Sequence, residues 1–139
     1  MTIEKLCKDD FVDVMRGQPT VRFTDKGVVF FNRAAIKHLK LCDRSGYYGV
    51  SVCRDNENPF DFSVVRDDAN GWKLRSATAG GGVFNCVGLA RHVIDQTWER
   101  CRSHPVGAVK PRSWVFRIAR LPIDDDKNSN VYALLRKKE

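Results

Sequence analysis

Several features that mark other classes of protein are missing from this 139-residue sequence. No apolar run approaches the roughly 20 residues that a membrane-spanning helix needs. The first residues, MTIEKLCKDDFVDVM, carry acidic side chains where a secretory signal needs an uninterrupted apolar stretch. We therefore expect neither a membrane anchor nor a secretion signal.

Closely spaced cysteines are also missing. The sequence contains five cysteines, none of them in a C-x-x-C pair: Cys7, Cys42, Cys53, Cys86 and Cys101. An odd and widely scattered set does not fit a disulfide framework. It fits reduced thiols and predicts a cytoplasmic protein.

Metal-binding patterns are limited to one short pair, Cys101 and His104. Cys86 or His92 would have to complete a zinc site, and structural zinc sites take four ligands from tight local pairs. Because only one such pair is present, buried cysteines and a loop histidine are the favoured interpretation. Asp124–Asp126 is likewise interpreted as a solvated turn rather than an ion site. We predict no bound metal.

Catalytic motifs are weak throughout the chain. A Cys nucleophile could be paired with His38, His92 or His104, yet no local motif selects a pair. The run Gly80–Gly82 lacks the Lys and Ser/Thr of a phosphate-binding loop and precedes a strand, so we interpret it as a flexible hairpin turn. The sequence predicts no catalytic residue, no cofactor and no enzyme.

The sequence does contain the composition of a folded protein, with an uneven charge. Hydrophobic residues make up 42% and charged residues 29%, which is typical of one compact domain. The net charge is +7: residues 1–69 hold 11 Lys and Arg against 11 Asp and Glu, whereas residues 70–139 hold 13 against 6. Between Glu99 and Asp124 there is no acidic residue. We expect a basic surface built from the C-terminal half.

In the first half, turn residues separate short segments of alternating hydrophobicity. Strands are predicted over residues 20–24 and 28–31, on either side of the turn Asp25–Gly27. Asn32 can cap a helix and predicts a short one over residues 33–39, after which further strands run to residue 66.

The second half repeats this order of elements. The glycine run takes the place of the first turn, and Asn85 precedes a helix that we predict from Cys86 to Cys101. Placing Asn32 on Asn85, an offset of 53 residues, aligns the two short strands and the two helix starts. One unit of this size would leave half of its apolar face open, so two units in one chain would bury each other.

The segment from Gly27 to Leu41, GVVFFNRAAIKHLKL, resembles the core motif of AbrB/MazE-type swapped-hairpin proteins. That motif has a hairpin glycine, a short β-run, a helix-start residue, a short amphipathic helix and a Leu-x-Leu/Ile exit. In the family, two units interlock into a small β-barrel, usually as a homodimer. The resemblance covers residues 20–66 well and 72–136 loosely, and it extends to uncharacterised bacterial and phage proteins with two such units.

The sequence departs from the family motif at three positions. Val28 stands where the family usually has Arg, Asn32 where it usually has Pro, and Ser45 where it often has Asp. DNA-binding members use basic residues of the hairpin turn and the early helix, and the nearest ones here are Arg22, Lys26, Arg33, Lys37, Lys73, Arg75 and Arg91. These departures weaken the inference that this chain binds DNA as the family does. The apolar pattern of the motif is intact and still supports the predicted fold.

The predicted fold is therefore mostly β with two helices, of the α+β class. Two ββαββ units, at about residues 20–66 and 72–136, form one swapped-hairpin-like barrel with pseudo-twofold symmetry. Residues 1–19 form an N-terminal arm, and residues 20–139 form a single domain. Several aromatic side chains are expected in the core: Trp72, Phe84, Trp98, Trp114 and Phe116.

The predicted function is that of a small non-enzymatic DNA-binding protein, such as a regulator of the antitoxin kind. Its phosphate contacts would come from basic residues of the second half: Arg75, Arg91, Arg100, Arg102, Lys110 and Arg112. The alternative is a protein-interaction or structural component of a phage particle or mobile-element complex, in which the same surface binds an acidic protein. The sequence is compatible with a monomer and with a homodimer.

Overall fold

The computed structural model describes residues 17–54, 62–100, 107–123 and 131–136. The strands assigned to them are β1 (Thr20–Thr24), β2 (Val28–Phe31), β3 (Cys42–Asp43), β4 (Gly46–Tyr47), β5 (Gly49–Arg54), β6 (Phe62–Arg66), β7 (Trp72–Lys73), β8 (Arg75–Ser76), β9 (Gly82–Asn85), β10 (Ser113–Ile118) and β11 (Val131–Arg136). The helices are α1 (Arg33–His38) and α2 (Val87–Arg100), and a 3₁₀ turn spans Thr78–Gly80. The fold is mostly β with two helices, which confirms this part of the prediction.

Nine strands form one antiparallel sheet in the order β7-β5-β6-β11-β10-β1-β2-β9-β8, and β3 pairs with β4 in a separate hairpin. The two ends of the large sheet belong to one stretch of chain. β7 pairs with β5, while β8, separated from β7 only by Leu74, pairs with β9. The N–H of Leu74 also donates to the carbonyl oxygen of Tyr48, at 3.2 Å. The sheet therefore curls into a nearly closed barrel, which pairs edges that an open sheet would expose.

Alternate side chains of the strands point into the barrel and form its core. Phe23 of β1 is fully buried, while Arg22 beside it is exposed. The rings of Phe23 and Phe116 meet edge to face, with centroids 5.7 Å apart, and Phe84 is buried as well. The rings of Trp72 and Phe84 stack with their centroids 5.1 Å apart. Trp72 is 36% exposed, so it lies at the surface and does not fill the core as predicted. The two remaining aromatics of that prediction are half-buried: Trp98 and Trp114.

Asn32 begins α1, as predicted from its capping ability. Its Oδ1 accepts hydrogen bonds from the N–H of Ala35 at 2.8 Å and from the N–H of Thr20 at 3.0 Å. Its Nδ2 donates to the carbonyl oxygen of Gln18 at 2.8 Å. One side chain therefore caps the helix and holds the chain that leads into β1.

The helix predicted after Asn85 is present and begins one residue later than predicted. Asn85 is the exposed last residue of β9, and α2 begins two residues later, at Val87. The N–H of Cys86 donates to the carbonyl oxygen of Gly27 at 2.8 Å, so the start of α2 is attached to the β1–β2 turn. The predicted helix end, Cys101, lies outside the described residues.

Each helix start packs against a hairpin glycine that has a positive φ. A Cβ placed on Gly27, whose φ is +96°, would lie 2.5 Å from Cγ2 of Val87. A Cβ placed on Gly80, whose φ is +79°, would lie 3.2 Å from Cδ of Arg33 in α1. Both positions therefore require glycine. The glycine run lies at the hairpin turn between β8 and β9, as predicted, and it packs against α1.

Candidate nucleic-acid interface

The described part of the chain is more basic than the whole. It contains 17 Lys and Arg against six Asp and Glu, a net charge of +11, compared with +7 for the full sequence. The first half contributes eight basic and four acidic residues to this count, because seven of its 11 acids lie in residues 1–16 and 55–61. Among the described residues, basic side chains therefore outnumber acidic ones in both halves, while the first half of the full sequence is neutral.

The strands of the barrel carry positive charge only. The nine-stranded sheet contains seven basic residues and no acidic one, and all seven are exposed: Arg22, Arg54, Arg66, Lys73, Arg75, Arg117 and Arg136. The acids of the described chain lie in turns, in the β3–β4 hairpin and in α2. A surface with this distribution attracts polyanions, because each contact with a phosphate releases a condensed counterion.

Two of the predicted site residues contact the β1–β2 turn, and a third pairs with α2 one turn away. The Nε atom of Arg91, in α2, donates to the carbonyl oxygen of Asp25 at 2.9 Å. The N–H of Asp25 donates to the carbonyl oxygen of Arg112 at 2.7 Å. Lys110 lies two residues before Arg112, and its ammonium pairs with the carboxylate of Asp95, one turn beyond Arg91 on α2. Two segments of the second half therefore enclose the first hairpin turn.

Lys26 adds a fourth cation, which the family resemblance indicates but the six predicted phosphate contacts do not include. It is exposed in the same turn, directly after Asp25. Within the described ranges, the side chains of Lys26 and Arg112 make no hydrogen bond or ion pair, so both charges are open to a ligand. We call the group of Lys26, Arg91, Lys110 and Arg112 the turn cluster. Its assembly depends on how α2 packs, which no local sequence pattern reveals.

The other predicted residues lie elsewhere. Arg100 ends α2, nine residues beyond Arg91; it is half-buried, and its side chain already has an interaction partner. Arg102 lies outside the described residues. Arg75 is exposed on β8, away from the turn.

Arg75 belongs to a row that crosses four neighbouring strands. Arg22 lies opposite Phe30, Phe30 opposite Val83, and Val83 opposite Arg75. The two central side chains are half-buried, and both arginines are exposed. Because neighbouring strands lie about 4.8 Å apart, the arginines flank this apolar strip at a separation of roughly 14 Å. The basic residue at the other end of this row from Arg75 is therefore Arg22, from the first half.

Acids beside α1 are engaged within their own segments. Hydrogen bonds from the Ser45 hydroxyl, the Tyr48 hydroxyl and the Ser45 N–H hold the pKa of Asp43 at about 2, below its ordinary value of 3.8. The guanidinium of Arg66, 2.9 Å away, lowers the pKa of the Asp68 carboxyl. Neither carboxylate pairs with the turn cluster.

The candidate metal ligands do not form a cluster within the described residues. Within the described residues, no three His, Cys, Asp or Glu side chains lie close enough to hold a metal ion. Cys101, His104 and Asp124–Asp126 fall outside those residues. His38 has a structural contact instead, because its Nε2 lies 3.0 Å from the carbonyl oxygen of Ala119.

Comparisons of the chain with protein-family models, with curated proteins and with solved structures find no match. Among the helices that the structure describes, none has the length and apolar character needed to cross a membrane.

Proposed function

We propose that the chain consists of two ββαββ units that form one swapped-hairpin-like barrel about a pseudo-twofold axis. The strand register supports this arrangement. Arg22 pairs with Phe30 in the first hairpin of the first unit, and Arg75 pairs with Val83 in the first hairpin of the second unit. Each residue of the second pair lies 53 positions after its counterpart in the first pair. Where the two hairpins meet, Phe30 of β2 faces Val83 of β9, its own counterpart.

The second hairpins of the two units also correspond to each other, with an offset of 68 positions between equivalent residues. Val50 faces Arg66 in the β5–β6 pair, and Ile118 faces Leu134 in the β10–β11 pair. The 15 additional positions fall between the two hairpins of the second unit, where α2 has 14 residues and α1 has only six. A longer helix and a longer connection thus account for the change of offset.

The pairing between hairpins supports an exchange of partners. β1 of the first unit pairs with β10 of the second, with Thr20 opposite Arg117. β7 of the second unit pairs with β5 of the first, with Lys73 opposite Gly49. Lys73 lies 53 positions after Thr20, and Arg117 lies 68 positions after Gly49, so the two strand pairs correspond to each other. Cross-strand NMR contacts between the backbone protons of both pairs would support the exchange, and contacts of β1 with β5 would contradict it.

We further propose that the barrel is a non-enzymatic DNA-binding protein that contacts phosphates through the turn cluster. The observation that carries this proposal is the double attachment of Asp25, through which Arg91 and Arg112 of the second half lie at the first hairpin turn. Arg and Lys form charge-assisted hydrogen bonds with phosphate oxygens. Lys26 and Arg112 provide the main contacts because their charges are open, while Arg91 binds the turn and Lys110 attaches its segment to α2.

A fluorescence-anisotropy titration with a short mixed-sequence duplex tests this proposal. The double reversal Lys26→Glu/Arg112→Glu should weaken binding by at least about tenfold, because it replaces two phosphate contacts with two repulsions. The matched control is Arg44→Glu/Arg120→Glu, which changes the net charge equally at two exposed positions on the α1 side of the barrel. Equal losses in both variants, or no loss in the first, would contradict a specific role for the turn cluster.

An acidic protein is the second candidate ligand, because exposed apolar side chains border the turn cluster. Val109, next to Lys110, is 86% exposed, and Val87, against Gly27, is 45% exposed. Apolar groups beside open cations are more typical of protein contacts than of phosphate contacts. Co-purification of an acidic protein, together with no retardation of the duplex, would favour this role within a larger complex.

A further inference from the structure

A second concentration of positive charge surrounds a pocket beside α1. The pocket has a volume of about 400 Å³ and is lined by Arg33, Ile36, Lys37, Lys40, Cys42 and Gly80. Three of these six residues are cations and none is an acid. α1 follows β2, and α2 follows β9; since β2 and β9 are antiparallel, the pocket and the turn cluster lie at opposite ends of this strand pair.

The three cations lie close together along α1, and no acidic residue lines the pocket with them. Arg33 and Lys37 are four residues apart and therefore share one face of the helix, where like charges repel. Lys40 follows the end of the helix. The side chains of these three residues make no hydrogen bond or ion pair within the part of the chain that the structure describes. The charge of the pocket is therefore available to a ligand.

Lys40 has a backbone conformation that normally selects glycine. Its φ is +54°, and the turn is closed by hydrogen bonds from Lys40 N–H to the carbonyl of Lys37 at 3.3 Å and from Leu41 N–H to the carbonyl of Ile36 at 3.0 Å. A side chain in this left-handed region costs free energy that glycine would not. Arg66 supports the turn by donating to the carbonyl oxygen of Lys40 at 3.2 Å. The fold thus tolerates a strained residue where its ammonium adds to the pocket.

The opposite wall of the pocket holds Arg33. Because Gly80 has no Cβ, the aliphatic stem of Arg33 packs closely on its backbone, with Cδ and Cγ at 3.2 and 3.3 Å from the place of a Cβ. This contact keeps the guanidinium at the pocket wall. Ile36 and Cys42 give the pocket an apolar part beside its three cations.

We propose that this pocket binds a phosphomonoester, that is, a terminal phosphate carried by a small organic molecule or by the end of a nucleic acid. Three cations match a phosphate dianion, and Arg33 adds a planar fork of donors. The volume falls within the range of small-molecule sites, about 300–1,000 Å³, so it has room for part of the carrier beside the phosphate. The site is separate from the turn cluster, and either proposal can fail without the other.

Isothermal titration calorimetry of the full chain at low ionic strength, with adenosine 5′-monophosphate, inorganic phosphate and adenosine as probes, tests the site. We expect the monophosphate to bind most tightly, inorganic phosphate more weakly, and adenosine without measurable heat. Single-stranded oligonucleotides with a 5′-phosphate or a 5′-hydroxyl distinguish the two sources. Preference for the 5′-phosphate, with no binding of the monophosphate, would assign the pocket to a nucleic-acid end. Binding of adenosine as tight as that of the monophosphate would overturn the proposal, as would a failure of every phosphorylated probe to bind.

The decisive variant is Lys40→Gly, because it removes a cation and relieves the backbone strain. It should raise the unfolding temperature while it weakens binding of the tightest phosphorylated probe at least about fivefold. Arg33→Gln/Lys37→Gln should abolish binding, and Arg117→Gln, at an exposed cation of β10 outside both the pocket and the turn cluster, should leave it unchanged. Unchanged affinity in Lys40→Gly would show that Lys40 serves only the turn and would overturn the proposal.

Discussion

The Nε atom of Arg91 donates a hydrogen bond to the carbonyl oxygen of Asp25 across a sequence separation of 66 residues. This bond attaches α2 to the first hairpin turn and brings a cation of the second half beside Lys26. A basic residue of the C-terminal half thus lies at a turn made by the N-terminal half.

Removal of this bond should loosen the turn. Arg91→Met keeps an unbranched side chain but loses the donor, so we expect the free energy of unfolding to fall by about 1 kcal/mol. Chemical denaturation measures this change. Arg120→Met, at an exposed residue without a hydrogen bond to the described chain, is the control and should stay within about 0.5 kcal/mol of the parent. Equal effects of the two substitutions would show that the bond contributes nothing.

Two glycine-to-alanine substitutions should have opposite effects. Gly27→Ala places a Cβ 2.5 Å from Cγ2 of Val87 on a backbone with φ +96°, so we expect a loss of about 2 kcal/mol or more. Gly88→Ala lies in α2 with nothing within 4 Å of its Cβ and should stabilise the protein by about 0.5–1 kcal/mol. Thermal unfolding of both variants measures the difference. A stable Gly27→Ala variant would refute the close contact between the turn and α2.

The two asparagines that sequence reasoning treats as equivalent should differ in their contributions. Asn32→Ala removes hydrogen bonds to Ala35, Thr20 and Gln18 and should cost about 2 kcal/mol, more than a simple helix cap. Asn85→Ala, at an exposed strand end, should change the stability by less than about 0.5 kcal/mol. Urea unfolding compares them, and similar losses would contradict the different roles assigned here.

Acid should weaken the fold in part through Asp43. The folded protein holds the pKa of this carboxyl at about 2, against an ordinary value of 3.8, so the folded state binds fewer protons than the unfolded state between these values. The contribution of Asp43 is therefore complete above about pH 4 and is lost as the pH falls toward 2. Asp43→Asn should lose less stability than the parent over this window in urea titrations. An identical pH dependence in the two proteins would exclude Asp43 as a contributor.

Local patterns were sufficient to predict the mostly β fold, both helices and the capping role of Asn32, because these depend on neighbouring residues. They did not reveal that Asn85 stays in a strand, since the attachment of Cys86 to Gly27 fixes the start of α2. The site was only partly predictable. Arg91, Lys110 and Arg112 were selected by charge, whereas Lys26 joins them through contacts between distant segments. The pocket beside α1 was missed because its lining combines α1 with Gly80, which lies about 40 residues further along the chain.

The salt dependence of duplex binding tests the central claim most directly. Phosphate contacts by Lys26 and Arg112, the two open cations of the turn cluster, should give a plot of log affinity against log salt concentration with a slope of about −2. Lys26→Glu/Arg112→Glu should make that slope shallower by about two units. A parent slope near zero, or an identical slope in the double variant, would contradict DNA binding through the turn cluster.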